Sequence, residues 1–196
     1  MKRICVFCGS SPGVRPEYRE AAVRMGEEIA RQGYSLVYGG GRVGLMGAVA
    51  DSALASGGEV IGVIPEALAL KEIAHGGLTK LHVVDSMHTR KAMMAEMADA
   101  FIAMPGGFGT FEEFCEILTW AQLGIHQKPC GLLNTEGYYN SLISMFDHAF
   151  GEGFVRKEHR NLVLEATDPT HLLGLLEEWR PDGLEHVEKW IKKGQT

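Results

Sequence analysis

The chain alternates short, almost continuously apolar runs with longer stretches in which apolar residues recur every three or four positions. Because strands without polar alternation are typical of a parallel sheet covered on both faces, the pattern predicts a Rossmann-like α/β fold, a doubly wound parallel sheet with helices on both sides. The predicted strands are Ile4–Cys8, Leu36–Tyr38, Val60–Ile64, Leu81–Val84, Ala100–Met104, Cys130–Leu133 and Leu162–Leu164. The predicted helices cover about residues 17–32, 44–56, 87–98, 110–124, 138–150 and 169–179.

The whole chain, residues 1–196, is predicted to form one domain, since it shows no linker, internal repeat or low-complexity tract. Four glycines stand where three of the predicted helices should end, at Gly33, Gly57-Gly58 and Gly124. Residues 65–79 interrupt the regular alternation of strands and helices, and they are long for a loop of a parallel α/β sheet. Long loops in compact domains are often functional.

The net charge of −6 and the isoelectric point near 5.8 argue against a nucleic-acid partner, which needs a clustered basic surface. The basic run Lys189, Lys192 and Lys193 is interpreted as a solvated tail. No stretch is apolar enough for a membrane span, and the first residues do not resemble a signal peptide. We therefore expect a cytoplasmic protein without a membrane partner.

Four cysteines, at positions 5, 8, 115 and 130, are too few and too scattered for a disulfide framework. Cys5 and Cys8 form a C-x-x-C pair, but this spacing in a strand places the two side chains on opposite faces. We expect buried free thiols and no metal site.

Glycine makes up 25 of the 196 residues, against about 7% in an average protein. Much of the excess lies in three loops that each follow a predicted strand and precede a helix: residues 9–13, residues 39–44 with Gly47, and residues 105–110. Ligands of open parallel sheets bind beyond the carboxyl ends of the strands, where helix N-termini present free N–H groups. The three loops together predict a phosphate-bearing ligand.

The loop at 39–44 satisfies the G-x-G-x-x-G pattern of dinucleotide-binding proteins. However, it follows the second strand, and no acidic residue ends the next strand at Ile61–Ile64, where a ribose ligand would stand. It also lacks the Gly-Lys-Ser/Thr of a P-loop. A nicotinamide cofactor is therefore not expected.

Charged residues stand beside these loops. Thr110 is predicted to cap the next helix, with Glu113 completing a capping box, although Glu113 could equally serve a ligand. Glu112, Glu113 and Glu116 place three carboxylates in the first two turns, and because carboxylates repel phosphate we expect them to face an uncharged part of a ligand or a developing cation.

Arg90 and Lys91 open the helix after the fourth strand, which Asp85 or Ser86 is predicted to cap. Cations near a helix N-terminus oppose the helix dipole unless an anion is nearby. Two interpretations stay open: a phosphate-binding pair, for which arginine is well suited, or solvated surface charges.

Four motifs together resemble the LONELY GUY family of cytokinin riboside 5′-monophosphate phosphoribohydrolases, whose members are often labelled possible lysine decarboxylases. The motifs are Pro105–Glu113 (P-G-G-x-G-T-x-x-E), Met87–Lys91 (M-H-x-R-K), Gly39–Gly47 (G-G-G-x-x-G-L-M-G) and Cys8–Ser11 (C-G-S-S). The resemblance covers about residues 2–180. It implies a Rossmann-like fold, homodimers or larger homo-oligomers with sites near the dimer interface, and no cofactor or metal. The implied reaction is hydrolysis of the N-glycosidic bond of an adenosine 5′-monophosphate, usually N6-substituted, to the free base and ribose 5-phosphate.

Carried to this chain, the resemblance implies Arg90 and Glu113 as the catalytic pair. The chemistry needs one carboxylate, for which Glu112 or Glu116 is the alternative to Glu113. It implies phosphate contacts from the 105–110 loop and substrate contacts elsewhere. The implied substrate-binding residues are Ser10, Gly40, Gly41, Glu72, Lys91, Gly106, Gly107, Phe108 in a variable position, Gly109, Thr110, Glu112 and Thr119.

Two other hypotheses compete with this one. Related Rossmann-like proteins carry a phosphorylated cofactor of the molybdopterin type without turning it over, which would make the chain a carrier. Pyridoxal-dependent lysine decarboxylation would need a Schiff-base lysine, for which Lys91 is the candidate.

Overall fold

The computed structural model describes residues 1–69 and 73–181, and within these it contains seven strands and eight helices. Glu72 and the basic residues Lys189, Lys192 and Lys193 lie outside the described residues. The strands are β1 (Arg3–Phe7), β2 (Ser35–Tyr38), β3 (Val60–Pro65), β4 (Lys80–Val84), β5 (Ala100–Ala103), β6 (Cys130–Leu133) and β7 (Val163–Ala166). The helices are α1 (Pro16–Arg31), α2 (Gly44–Ala55), α3 (Glu66–Leu68), α4 (Met87–Met97), α5 (Phe108–Gln122), α6 (Asn140–Gly151), α7 (Lys157–Arg160) and α8 (Pro169–Glu178), with a 3-10 turn at Thr135–Gly137.

All seven strands form one parallel sheet in the order β4-β3-β2-β1-β5-β6-β7. The chain first adds strands on one side of β1 and then returns to add β5, β6 and β7 on the other. This confirms the predicted doubly wound fold. It also places the reversal of strand order between β1 and β5, where open α/β sheets form their binding crevice.

Side chains of β1 point alternately into two apolar layers, one on each face of the sheet. Ile4 and Val6 pack with helices α1, α2 and α8, whereas Cys5 and Phe7 pack with α4 and α5. Cys8 belongs to the first layer, so the two thiols of the C-x-x-C pair lie on opposite faces, as predicted. Burial raises the pKa of both thiols, which keeps them protonated and unreactive.

Helix ends follow the sequence signals at most positions. Gly33, Gly57 and Gly124 adopt φ of 76°, 79° and 72° just after α1, α2 and α5, a backbone region that favours glycine. Of the two caps predicted for α4, the structure has Ser86, whose hydroxyl accepts the backbone N–H of Thr89 at 3.1 Å.

The predicted cap of α5 is wrong. The helix begins at Phe108 with Gly107 as the N-cap residue, and the Phe111 N–H closes the first turn on the Gly107 carbonyl at 3.1 Å. Thr110 therefore lies inside the helix, and it is only 4% exposed. Helix stability falls by only a few tenths of a kcal/mol when glycine replaces threonine as the N-cap residue. Because the difference between the two caps is small, packing of the buried Thr110 side chain decides where the helix begins.

Residues 73–77 of the long 65–79 connection return to the loop after β2. Ala74 forms an isolated antiparallel bridge with Gly41, and the flanking backbone bonds join Arg42 N–H to the Ile73 carbonyl and His75 N–H to the Gly40 carbonyl, both at 2.9 Å. We call residues 73–77 the strap. No helix in the described part of the chain is long and apolar enough to cross a membrane.

Helices α1 and α2 approach closely because Gly26 lacks a side chain. A Cβ at Gly26 would lie 2.4 Å from the Val49 carbonyl oxygen and 2.9 Å from the Ala53 nitrogen. The hydroxyl of Ser52 donates to the Val23 carbonyl across the same contact at 2.6 Å. Backbone atoms of α2 cannot give way as a flexible side chain can, so this contact positions α2 and the glycine loop before it.

Replacing Gly26 with alanine is therefore expected to destabilise the protein by about 2 kcal/mol despite the better helix propensity of alanine. Gly174 in α8 is the matched control, because a Cβ there meets no described atom within 4 Å, and Gly174→Ala should be neutral or stabilising by up to about 1 kcal/mol. Urea unfolding of both variants tests this, and equal midpoints would refute it.

Candidate active site

The loops after β1 and β5 are in direct contact at the reversal of strand order. The Gly9 N–H donates to the Pro105 carbonyl at 3.0 Å. A Cβ at Gly106 would lie 2.8 Å from the Gly9 nitrogen and 2.2 Å from the Thr110 hydroxyl. Glycine at position 106 is therefore required by this close packing.

The third glycine loop, residues 39–44 after β2, contacts the loop after β1. Gly44 has φ of +61°, and a Cβ there would lie 2.3 Å from the carbonyl carbon of Ser10. The next residue, Leu45, donates its N–H to the Gly9 carbonyl at 3.0 Å. The three loops predicted from the sequence thus meet at one edge of the sheet.

Two adjoining cavities of about 340 Å³ and 240 Å³ open at this edge and share Gly9, Ser10 and Gly107. The larger cavity has an apolar wall and a charged end. The apolar wall consists of Met46, Ile64, Leu68, Ile73 and Met87, and the charged end of Arg90, Glu112 and Glu113. The smaller cavity combines the 9–13 loop with the rings of Tyr18 and Tyr138.

Gly107 and Gly109 are not explained by packing. A Cβ at either position would meet no described atom within 4 Å, and the φ of −96° at Gly107 is open to any residue. Because the first N–H groups of α5 lack intrahelical acceptors and the helix dipole favours negative charge there, bare backbone at these positions would let an anion approach closely. Phe108 between them is 91% exposed.

Arg90 and Glu113 form a buried ion pair at the charged end of the larger cavity. The Nη1 atom of Arg90 lies 3.1 Å from Oε1 of Glu113, with side chains only 11% and 9% exposed. The Arg90 Nε donates to the carbonyl of Val63 at 3.1 Å. A Cβ at Gly39 would lie 2.1 Å from Nη2 of Arg90, so the guanidinium is packed against bare backbone and held in one orientation.

Burial is the main influence on Glu113 and raises the pKa of its carboxyl group. The positive charge of Arg90 acts in the opposite direction and lowers this pKa, while the neighbouring carboxylates of Glu112 and Glu116 raise it. Glu113 is therefore a buried carboxyl group with a raised pKa in a cavity, which is a common property of catalytic acids and bases.

Lys91 has partners different from those of Arg90. Its ammonium group forms ion pairs with Glu112 and, at 3.0 Å, with Glu116. Burial alone would lower the pKa of Lys91, but hydrogen bonds to these two carboxylates outweigh it and raise the pKa. Lys91 is therefore not the solvated surface charge of one interpretation, because its side chain is largely buried and pairs with carboxylates of α5.

The structure brings most of the implied site residues together. Ser10, Gly41, Gly107, Phe108, Gly109, Thr110, Glu112 and Glu113 line the larger cavity with Arg90. Gly40 stands between two residues that line the cavity, Gly39 and Gly41. It has φ of +73°, and its carbonyl accepts the N–H of His75 in the strap. Glu72 lies outside the described residues.

Thr119 does not join the other site residues in this chain. It lies further along α5, where its hydroxyl donates to the Cys115 carbonyl at 2.7 Å. It lines a separate cavity of about 160 Å³ together with Phe146 and His159. Any contact of Thr119 with a ligand in the larger cavity is therefore not made within the described chain.

Sequence reasoning missed several contributors to the site. Tyr138 donates its hydroxyl to the Gly106 carbonyl, and Tyr139 donates to the Met104 carbonyl at 2.6 Å. The adjacent tyrosines after β6 gave no local signal of this contact, because it joins positions more than thirty residues apart. The described residues contain no cluster of three or more His, Cys, Asp or Glu side chains that could hold a metal ion.

The family model described as "possible lysine decarboxylase" matches residues 46–176. A cytokinin riboside 5′-monophosphate phosphoribohydrolase of Arabidopsis thaliana is 50% identical over 190 residues, covering 97% of this chain and 88% of that protein. A protein of the same name from Rhodococcoides fascians is 56% identical over 168 residues, covering 85% of each chain.

Two solved structures share the fold at lower identity. The molybdenum cofactor binding protein of Rippkaea orientalis has a TM-score of 0.69 at 24% identity and covers 90% of this chain and 96% of its own. The molybdenum cofactor carrier protein of Chlamydomonas reinhardtii has a TM-score of 0.68 at 21% identity with the same coverage. At this identity the likeness establishes the fold alone.

The motifs, the fold and the matches over most of the chain agree. The chain belongs to the LONELY GUY family of cytokinin riboside 5′-monophosphate phosphoribohydrolases, the family whose model is described as possible lysine decarboxylase.

Proposed function

We propose that the protein hydrolyses the N-glycosidic bond of a nucleoside 5′-monophosphate, an adenosine monophosphate or its N6-substituted form, to the free base and ribose 5-phosphate. The observation that carries the proposal is the buried Arg90–Glu113 pair, which lies about one helical turn beyond the N-terminus of α5. The names and identities of the relatives support the same reaction.

The 5′-phosphate would bind at the start of α5, against the backbone of Gly107, Gly109 and Thr110. The ribose ring separates this phosphate from the glycosidic bond, and one helical turn is about 5.4 Å long. A phosphate at the helix N-terminus therefore places the bond to be cleaved near Glu113. Binding energy from the phosphate, remote from the reacting bond, orients the sugar.

Cleavage of an N-glycosidic bond builds positive, oxocarbenium-like charge on the ribose. The carboxylate of Glu113 stabilises this charge and accepts a proton from the attacking water, whose oxygen bonds to the anomeric carbon. The leaving base gains a proton on its ring nitrogen, so water is consumed and no other reactant is needed. Arg90 holds Glu113 in place and favours its ionised form.

The apolar wall of the larger cavity suits a flat, largely apolar group such as the base. Met46, Ile64 and Met87 lie in the same cavity as the ion pair, so a base stacked on them would keep its glycosidic bond within reach of Glu113.

Pyridoxal chemistry is a poorer match for this site. A Schiff-base lysine must lose its proton to attack the cofactor, and the usual device is a lowered pKa. The pKa of Lys91 is instead raised by its two carboxylate partners. A carrier function would use the same helix N-terminus for a phosphorylated cofactor but gives no role to the buried carboxyl group of Glu113.

We further propose that the protein acts in the cytoplasm as a homodimer or larger assembly. Apolar side chains on and after α6 support an assembly, since Met145, Phe150 and Phe154 are 59%, 43% and 87% exposed and none of the residues of α6 is fully buried. The free thiols fit a reducing compartment.

Glu113→Gln is expected to lower kcat with adenosine 5′-monophosphate by about 10²- to 10⁴-fold, because the amide cannot accept the proton. Because the change leaves the buried Arg90 without its charged partner, the melting temperature should fall, so kcat is compared at a temperature at which circular dichroism shows both proteins to be folded. Glu116→Gln is the matched control on the same helix and should lose less than about fivefold. The assay measures the rate at which base and ribose 5-phosphate are released. If the wild-type protein instead retains a phosphorylated ligand and forms no product, the carrier function is favoured over hydrolysis.

The pH profile should follow the charges around Glu113. Since burial raises its pKa and the reaction needs the ionised form, kcat/KM should fall as pH drops through a value above the ordinary range of glutamate. Glu112→Gln removes a negative neighbour and should move this limb to lower pH, whereas Lys91→Met removes a positive one and should move it to higher pH. Shifts in the same direction for both variants would contradict this assignment.

A further inference from the structure

The strap, residues 73–77, lies beside the site but is held by few backbone contacts. Two backbone hydrogen bonds and one isolated bridge join it to the loop after β2. Short two-stranded pairings of this kind are marginally stable in water, and the strap ends in Gly76-Gly77, which lose much conformational entropy when ordered. Another contact must hold it.

That contact is the side chain of His75. Its Nδ1 atom accepts the N–H of Gly77 at 3.1 Å, and its Nε2 lies 2.8 Å from Oδ1 of Asp51 on α2. Because a backbone N–H can only donate, Nδ1 carries no proton in this arrangement, so Nε2 carries one and donates it to Asp51. The His75 side chain is only 11% exposed, although Asp51 is 70% exposed.

The strap reaches the larger cavity through Ile73. Ile73 lines this cavity together with Arg90 and Glu113, and its Cγ2 lies 3.9 Å from where a Cβ of Gly41 would stand. This is an ordinary van der Waals distance, so the strap lies directly against the loop after β2. Loss of the His75 contacts would free Ile73 from the apolar wall without touching the ion pair.

We propose that His75 is a positioning residue: by joining Asp51 on α2 to the Gly77 backbone, it holds the strap so that Ile73 completes the apolar wall of the site. This inference takes the nature of the substrate from the proposed function, whereas the contacts of His75 with Asp51 and Gly77 are independent of that function. His75 acts on binding through Ile73, whereas Arg90 and Glu113 act on the reacting bond.

His75→Ala is expected to raise KM for adenosine 5′-monophosphate about three- to tenfold while kcat stays within about twofold. His75→Gln, which keeps a donor for Asp51, and Asp51→Asn, which keeps the acceptor oxygen, should both recover most of the wild-type KM, and Asp51→Ala should not. His171→Ala, at an exposed position on α8, is the matched control. An unchanged KM in His75→Ala, or a loss confined to kcat, would overturn the proposal.

Hydrogen exchange separates this inference from the reaction. In the ligand-free His75→Ala variant, the amides of His75 and Gly77 should exchange at least about tenfold faster than in the wild-type protein, with unchanged exchange in α1 and α2. If the wild-type protein cleaves no nucleotide, the proposed function fails while this measurement still decides whether His75 holds the strap. Unchanged exchange of these amides would refute the role of His75 whatever the substrate.

Discussion

The site depends on one buried ion pair, Arg90 with Glu113. Removing two charges from water is costly, and the attraction between them compensates only when geometry is good and further hydrogen bonds satisfy the remaining groups. Here Arg90 gains the Val63 carbonyl as a second acceptor. Loss of one member of a buried pair typically costs about 3–5 kcal/mol, because the other charge remains buried without a partner.

Several features of the fold serve this pair. The guanidinium fits only because Gly39 has no side chain, and its second acceptor is a carbonyl near the end of β3. Arg90 and Lys91 are adjacent on α4, yet each pairs with different carboxylates of α5. The two sets of ion pairs join these helices so that Glu113 faces the cavity while the carboxylate of Glu116 is held by Lys91. The fold thus gives Glu113 a partner different from that of Glu112 and Glu116, although the three side chains are chemically identical.

The sequence predicted the sheet and the convergence of its glycine loops because both follow from local pattern. Continuous apolar runs and glycines at strand ends can be recognised along the sequence. Because the carboxyl ends of parallel strands lie at one edge of a sheet, the glycine loops are expected to meet there. It misplaced the start of α5, because the packing of Thr110 on Gly106 outweighed a good capping pattern. The partners of Lys91 and the contacts of His75 could not be predicted, since each joins residues that only the tertiary fold brings together.

The sequence alone does not show which glycines are required by packing within the protein and which are not. Gly39, Gly44 and Gly106 look the same in the sequence as Gly107 and Gly109, yet the first three are required by atoms of the protein and the last two are not. Other glycines, such as Gly174 in α8, also have room for a Cβ, but Gly107 and Gly109 line the larger cavity, where bare backbone would let a ligand approach closely. Only the structure separates these two kinds of glycine, and it places Gly107 and Gly109 at the start of α5, about one turn from Glu113. Gly107 and Gly109 therefore support the proposed position of the phosphate, and the ion pair supports the proposed position of bond cleavage.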